Sequence, residues 1–174
     1  MNIDDIVTNN EKYLGHTDGF LNNNEKLKEH IDKTVYYYEK IKKEKNIDII
    51  LNRFYFDFFD SKKYIKIFKK LIDKIIEDHD IGKINPLFQR QRLANLEFKR
   101  SYLTIGNEHS ILSSFLYIYD NFQEVDNKNI DNREKLKLNY FIFLNSYIIS
   151  RHHSDLSDFT YKKENFMKIF YGND

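Results

Sequence analysis

The sequence contains no cysteine and no tryptophan, and it has only one proline and five glycines among 174 residues. Without cysteine the chain can form neither a disulfide bond nor a cysteine-type zinc site, so any metal must be bound by histidine and carboxylate side chains. The scarcity of turn-forming residues favours long helices over many short strands. Because the length is sufficient for one domain with a single core, we predict a single all-α domain over residues 1–174.

The chain also lacks a charge excess and a long apolar run. Lysine and arginine total 28 against 27 acidic residues, for a net charge of +1. This balance argues against binding of duplex nucleic acid by bulk electrostatics, although a local basic groove is compatible with it. No apolar run approaches the about 18 residues of a membrane helix, and residues 1–5 lack a basic leader region. We therefore expect no membrane span, no secretory signal and a cytoplasmic location.

Apolar residues recur at helical spacing along much of the chain. After a polar entry segment of loops, residues 1–21, the asparagines at 22–24 are expected to cap a helix that carries His30 on its inward face. Residues 49–59 predict a short buried helix, and Asp60 and Ser61 predict the cap of the next helix. The remaining predictions are an amphipathic basic segment over 88–102, a break at 106–107, helices over 108–121, 135–151 and 161–171, and a polar loop over 123–132.

One stretch, residues 75–89, places two metal-binding residue types side by side. His79 is the last residue of an inward-facing helical stripe, and Asp80 follows it directly. Gly82 is expected to end the helix in a left-handed conformation, before the only proline, Pro86. Imidazole offers a nitrogen ligand and carboxylate an oxygen ligand, so the pair can share one metal ion. A carboxylate at a helix C-terminus is otherwise electrostatically unfavourable.

Five of the six histidines fall at helix beginnings, helix ends or inward faces. A single histidine in such a position is more often a hydrogen-bonded core residue than a ligand. Five of them beside Asp80, in a chain without cysteine, favour a site for Mn, Fe, Co, Ni or Zn. His16 lies in a polar, glycine-flanked loop and is not expected to be a ligand. The five candidates are His30, His79, His109, His152 and His153.

Four short motifs give this pattern a family context. In chain order they are Leu27-Lys28-Glu29-His30, His79-Asp80-Ile81-Gly82-Lys83 with Asn85-Pro86-Leu87-Phe88-Gln89, Glu108-His109-Ser110 with Ser113, and His152-His153. They resemble the L-x-E-H, HD-x-GK…FQ, H-x-x-x-S and HH signatures of the HD nuclease domain of type I CRISPR effector nuclease–helicases. That domain belongs to the HD phosphohydrolase superfamily. The resemblance covers residues 25–155 in the right order.

The resemblance implies a helical HD-domain bundle with a central metal site. It implies a metal-dependent nuclease that cuts single-stranded DNA in antiviral interference, with a helicase domain or subunit and a crRNA-guided surveillance complex as partners. One or two ions of Mn, Ni, Co, Fe or Zn are expected, with Mg as a further candidate. The implied ligands are His30, His79, Asp80 and His109, while His152 and His153 hold a second ion or complete the site.

The residues implied to act on the phosphodiester are His79, Asp80 and Lys83. Asp80 is the natural bridge between two ions, because a carboxylate has two oxygens to share. Lys83 would lie beside the site and contact the phosphate; the alternative is that it neutralises the helix C-terminus. Phe88 is expected in the core and Gln89 as a backbone clamp. The residues expected to line a path for the strand are Lys83, Arg90, Arg92, Lys99 and Arg100, although a charged run is usually a solvated face.

The sequence departs from the family at its C-terminal end. The family has a further aspartate on a helix well past the histidine pair, whereas only residues 154–174 follow His153 here. Asp155, Asp158 and Asp174 stand in no matching motif, which predicts a truncated domain or a minimal variant. Two other hypotheses remain: an HD phosphohydrolase acting on nucleotides, and a non-catalytic helical docking module. The context that follows Asp80 favours the nuclease.

Overall fold

A computed structural model describes residues 3–18, 23–99 and 108–153 of the chain, and they form a mostly helical domain. The all-α prediction is confirmed. Within the described residues no helix combines the length and the apolar character needed to cross a membrane. The elements are α1 (Ile3–Ile6), β1 (Leu14–Asp18), β2 (Asn23–Lys26), α2 (Leu27–Glu44), α3 (Ile47–Phe59), α4 (Ile65–Asp78), α5 (Pro86–Gln91), α6 (His109–Asp126) and α7 (Asn132–Arg151), with 3₁₀ turns at Asn10–Lys12 and Ile81–Ile84.

The main core lies where α4, α6 and α7 pack on one another and α3 covers them. Aromatic rings make much of it: Tyr55 and Phe59 stack with ring centroids 4.3 Å apart, and Phe68 meets Phe141 edge-on at 5.1 Å. Burial of such rings supplies most of the stabilisation of a small domain. The buried residues of this core are Tyr55, Phe59, Tyr64, Phe68, Leu71, Tyr117, Ile118, Val125, Ile130, Leu138, Phe141, Ile142 and Ile149.

The expected buried helix over residues 49–59 is a helix of which only one face is buried. Tyr55 and Phe59 point into the core, but other large apolar residues of α3 are exposed. The helix carries apolar residues on more than one face and packs on the domain from one side, so it cannot bury all of them. The exposed residues are Ile49, Ile50, Phe54, Phe56 and Phe58.

The entry segment that was expected to form loops, residues 1–21, contains the first strand of a β-hairpin, and the second strand follows it. β1 pairs with β2 in antiparallel register, with Leu14 opposite Lys26 and His16 opposite Glu25, and Gly15 lies in the irregularity between them. Of the asparagines expected to cap α2, Asn23 and Asn24 lie in β2 instead, and Asn22 lies outside the described residues. The helix begins at Leu27 after Lys26, whose backbone NH donates to the Glu29 carboxylate at 3.4 Å. The strands are short and polar, so they lack the alternation that identifies a strand in a sequence.

Two further predictions at the ends of α4 were wrong. Asp60 ends α3 in a left-handed conformation (φ 54°) instead of capping α4, which begins at Ile65. Gly82 lies in a 3₁₀ turn, and its φ is not left-handed. A Cβ on Gly82 would lie 2.0 Å from the carbonyl oxygen of His109, so glycine is required by the close approach of this turn to α6.

The later helices differ from their predicted bounds. Among the described residues of the predicted basic segment, only 88–91 are helical. They belong to α5, which has proline in its first turn and the Asn85 side chain accepting from the Leu87 NH at 2.9 Å. α6 continues to Asp126, and α7 begins directly after Asp131, which caps it. The predicted loop over 123–132 is therefore shorter than expected. The predicted break at 106–107 and helix over 161–171 lie outside the described residues.

Candidate metal centre

Four helices bring the predicted ligands to one point. α2 carries His30 in its first turn, the end of α4 is followed by His79 and Asp80, and α6 begins with His109. The C-terminal end of α7 is followed by His152 and His153. The five histidines, which come from distant parts of the sequence, thus surround the Asp80 carboxylate.

One oxygen of Asp80 faces α2 and the end of α4. His30 Nε2 lies 2.9 Å and His79 Nε2 3.4 Å from Asp80 Oδ2. The Lys83 ammonium lies 2.8 Å from the same oxygen. His30, His79 and Asp80 each offer one ligand atom within 4.8 Å of the other two, so this half of the centre could hold an ion.

The other oxygen of Asp80 faces α6 and the end of α7. His109 Nε2 lies 3.0 Å, His152 Nε2 3.2 Å and His153 Nε2 4.0 Å from Asp80 Oδ1. The ligand atoms of these four residues also lie within 4.8 Å of one another. Asp80 is therefore shared by two groups of ligands, one on each carboxylate oxygen.

Contacts on the far side of the rings orient the histidines. His79 Nδ1 lies 2.8 Å from the Ile76 carbonyl, and His152 Nδ1 lies 2.6 Å from the Ile149 carbonyl. A carbonyl oxygen only accepts, so each Nδ1 donates to it and each Nε2 is turned to the centre. His30 has a different partner, since its Nδ1 lies 2.8 Å from a carboxylate oxygen of Glu25.

Burial and hydrogen bonding set the ionisation of the centre. Burial alone would raise the pKa of Asp80, but hydrogen bonds from His109, His152 and His30 outweigh it and hold that pKa far below its usual range. Burial lowers the pKa of His109. Hydrogen bonding to Asp80 raises the pKa of His30 despite partial burial. An anionic Asp80 and a neutral His109 are the forms in which these residues bind metal.

The donor set fits a divalent metal ion. Nitrogen and carboxylate-oxygen ligands without sulfur suit borderline first-row ions. The Asp80 side chain is only 3% exposed, whereas that of His153 is 59% exposed, so the centre opens to solvent on the His153 side. Asp80, His109, His152 and His153 together could hold a metal ion.

Comparisons of the chain with family models, with curated proteins and with solved structures gave no match. The resemblance to HD nucleases therefore depends on the four sequence motifs.

Lys83 lies beside the centre, as expected, but both of its contacts are within the protein. It is almost buried, and its ammonium donates to the Gly15 carbonyl at 2.8 Å as well as meeting Asp80. Neither of these two partners is a carbonyl oxygen of α4. Lys83 instead balances part of the Asp80 charge and ties the hairpin to the centre.

Gln89 is the backbone clamp that the sequence predicted. Its Oε1 accepts from the Leu14 NH at 2.9 Å, and its Nε2 donates to the carbonyls of Leu14 at 2.8 Å and Lys83 at 2.7 Å. Phe88 is buried, as expected, with its ring centroid 4.4 Å from that of His109. The clamp joins β1 to the turn that follows Asp80.

Of the predicted strand-binding residues, Lys83 contacts the Asp80 carboxylate. Arg90 is half-buried and donates to the Asn95 carbonyl at 3.5 Å, while Arg92 and Lys99 are exposed. Arg100 lies outside the described residues, as do the three C-terminal aspartates. His16, which was not expected to be a ligand, is exposed on β1 and belongs to neither of the two ligand groups.

Sequence reasoning missed the groups that support the ligands. Glu25 orients His30. Ser113 Oγ accepts from the Gly82 NH at 2.8 Å and so fixes the turn after Asp80. Gly15 allows the hairpin to approach α2, because a Cβ there would lie 2.6 Å from His30 Cβ. Ser113 belonged to a recognised motif, but nothing in the local sequence links Glu25 or Gly15 to His30.

Proposed function

We propose that the chain is a metal-dependent phosphodiester hydrolase of the HD type that cuts single-stranded DNA. The observation that carries the proposal is the convergence of five histidines on both oxygens of one buried carboxylate. The motifs that follow Asp80 and the order of the other three motifs support the nuclease branch. In that role the protein works in type I CRISPR interference with a helicase domain or subunit and a crRNA-guided surveillance complex.

The ligand arrangement suits hydrolysis of an anionic ester. Divalent ions, when bound, neutralise phosphate oxygens and make a water molecule a better nucleophile. One ion would be held by His30 and His79, and the other by His109, His152 and His153. Asp80 would contribute to both. The histidine-rich donor set favours Mn, Fe, Co, Ni or Zn over Mg, which prefers oxygen ligands.

The exposure of the centre supports a polymeric substrate. The ligands on the α2 and α4 side are mostly covered, whereas His153 is open to solvent. An open edge admits a phosphate within a continuous strand, whose two ends must leave the site in both directions. Lys83, engaged by Asp80, would help to hold that carboxylate and would be a positioning residue for the reaction.

A circular single-stranded DNA tests the proposal. The protein loaded with Mn²⁺ or Ni²⁺ is expected to cut the circle, and a chelator should stop the reaction. His79→Ala removes a ligand and should lower the rate by about 100-fold or more. His16→Ala, which removes an exposed histidine outside both ligand groups, is the matched control and should cut at the normal rate.

Two other outcomes would replace the proposal. Hydrolysis of free nucleotides or cyclic nucleotides without DNA cleavage would assign the chain to another branch of HD phosphohydrolases. No activity together with no bound metal by elemental analysis would indicate a non-catalytic docking module.

A further inference from the structure

The β-hairpin contacts a histidine of the candidate metal centre through a carboxylate side chain. Glu25 lies on β2 opposite His16, and its Oε2 is 2.8 Å from Nδ1 of His30. The other nitrogen of that ring lies 2.9 Å from Asp80 Oδ2. Glu25, His30 and Asp80 therefore form a continuous line of polar contacts from the hairpin into the centre.

The partner of His30 differs in charge from those of the neighbouring histidines. His79 and His152 donate to neutral backbone carbonyls, whereas His30 faces a carboxylate. A carboxylate on the far nitrogen fixes the ring and makes the near nitrogen a stronger metal ligand. Loss of such a partner typically lowers metal affinity by about 10- to 100-fold.

The position of Glu25 is set by the fold around it. Gly15 brings the hairpin within contact of His30, Lys83 donates to the Gly15 carbonyl, and Gln89 holds both polar groups of the Leu14 backbone. The second oxygen of Glu25 accepts from Lys33 at 2.6 Å. These contacts hold the Glu25 carboxylate within hydrogen-bonding distance of His30 in the absence of a bound ligand.

We infer that Glu25 is a positioning residue for His30 and sets the metal affinity of the His30–His79 half of the centre. The half built from His109, His152 and His153 does not depend on it, because these residues come from α6 and α7 and contact Asp80 through its other oxygen. The inference rests on the proposed metal centre. It adds that the metal affinity of one half of the centre depends on the hairpin, whereas that of the other half does not.

Ni²⁺ binding measured by calorimetry and by elemental analysis after gel filtration tests the inference. We expect the full chain to bind two ions. In Glu25→Gln, which keeps the shape but removes the charge, one ion should bind as before and the other about 10- to 100-fold more weakly. Lys28→Met, which removes another ammonium of α2 that pairs with Asp4 and not with Glu25, is the control, so both affinities should stay unchanged.

The split between the two ions separates positioning from general damage. A disturbed fold would lower the affinity for both ions. It would also lower the melting temperature of the metal-free protein, which is measured for each variant. Glu25→Asp keeps the charge on a side chain one methylene shorter, so the weak ion should recover part of its affinity. Asn24→Ala, on the same strand and exposed, reports the effect of altering the hairpin alone.

Each result bears on the inference. Two ions of unchanged affinity in Glu25→Gln would overturn it and leave the proposed function intact. If the unsubstituted protein binds a single ion, a lower affinity for that ion in Glu25→Gln supports the inference, and an unchanged affinity overturns it. A chain that binds no Ni²⁺ overturns the inference and the proposed function together.

Discussion

At the scale of single residues, Gly82 occupies a position where the surrounding structure leaves no room for a side chain. A Cβ there would lie 2.0 Å from the His109 carbonyl and 2.7 Å from the Ser113 nitrogen, both backbone atoms. Gly82→Ala must move the turn that carries Asp80 away from α6. We expect a loss of about 1–3 kcal/mol in the free energy of unfolding, measured by thermal denaturation without metal.

Two comparisons identify the cause of this loss. If Gly82 were needed for a left-handed conformation, Gly82→Asn would be tolerated better than Gly82→Ala, because asparagine adopts that conformation more readily. The steric explanation expects asparagine to be no better. Adding Ser113→Gly should not rescue Gly82→Ala, since the nearest obstacle is a backbone carbonyl. Rescue by Ser113→Gly would contradict this account.

The same residues show how far sequence reasoning reached into the site. His79 and Asp80 were identifiable because they end an amphipathic stripe, and the remaining ligands because they sit near helix ends in an ordered set of motifs. Glu25 could not be identified, because its meeting with His30 depends on a hairpin whose polar strands carry no periodic signal. The sequence also indicated that Gly82 matters, but for a left-handed conformation. The actual reason, its close approach to α6, cannot be predicted from the local sequence.

At the scale of elements, helix existence was predicted better than helix ends. The stripe over α4 predicted that helix, but the cap assigned to Asp60 was wrong because this residue ends the preceding helix. The polar residues at the end of α6 were interpreted as loop, although they continue the helix to Asp126. Glu124 in that last stretch pairs with lysines, so the tertiary environment stabilises a segment that polarity alone assigned to a loop.

The pairing of Glu124 predicts how the contact between α4 and α6 depends on pH. Its carboxylate accepts from Lys70 at 2.7 Å and from Lys128 at 2.9 Å. Burial would raise the pKa of Glu124, but these hydrogen bonds lower it overall. A carboxyl group whose pKa is lower in the folded state stabilises the fold above its unfolded pKa, and that contribution disappears as pH falls through the folded value.

We therefore expect Glu124→Gln to destabilise the protein at pH 7 by at most about 1 kcal/mol, because both lysines are partly exposed and solvent screens the pairs. Urea denaturation should show the difference from the unsubstituted protein shrinking as pH falls below about 4. Glu39→Gln, at a more exposed site 3.7 Å from Lys42, is the control and should have little effect at either pH. An equal loss for Glu124→Gln at both pH values would contradict the assignment.

At the scale of the whole molecule, the ligand set ties distant parts of the chain together. Its members come from α2, the end of α4, the start of α6 and the end of α7, and Lys83 and Glu25 add the hairpin. An unfolded chain holds these groups apart, so an ion held by them would bind the folded state far better than the unfolded state. Metal binding and folding are consequently linked.

This linkage predicts a melting temperature that depends on metal. At a free Ni²⁺ concentration about 100 times the dissociation constant, each bound ion stabilises the folded state by about 2.7 kcal/mol, which raises the melting temperature by roughly 5–10 °C per ion. Asp80→Ala removes the ligand common to both groups and should abolish the shift, whatever it does to the metal-free protein. His16→Ala should keep the full shift, because His16 is exposed and outside both groups. A shift that survives in Asp80→Ala would show that the ions bind elsewhere on the molecule, and the shared role of this carboxylate would have to be abandoned.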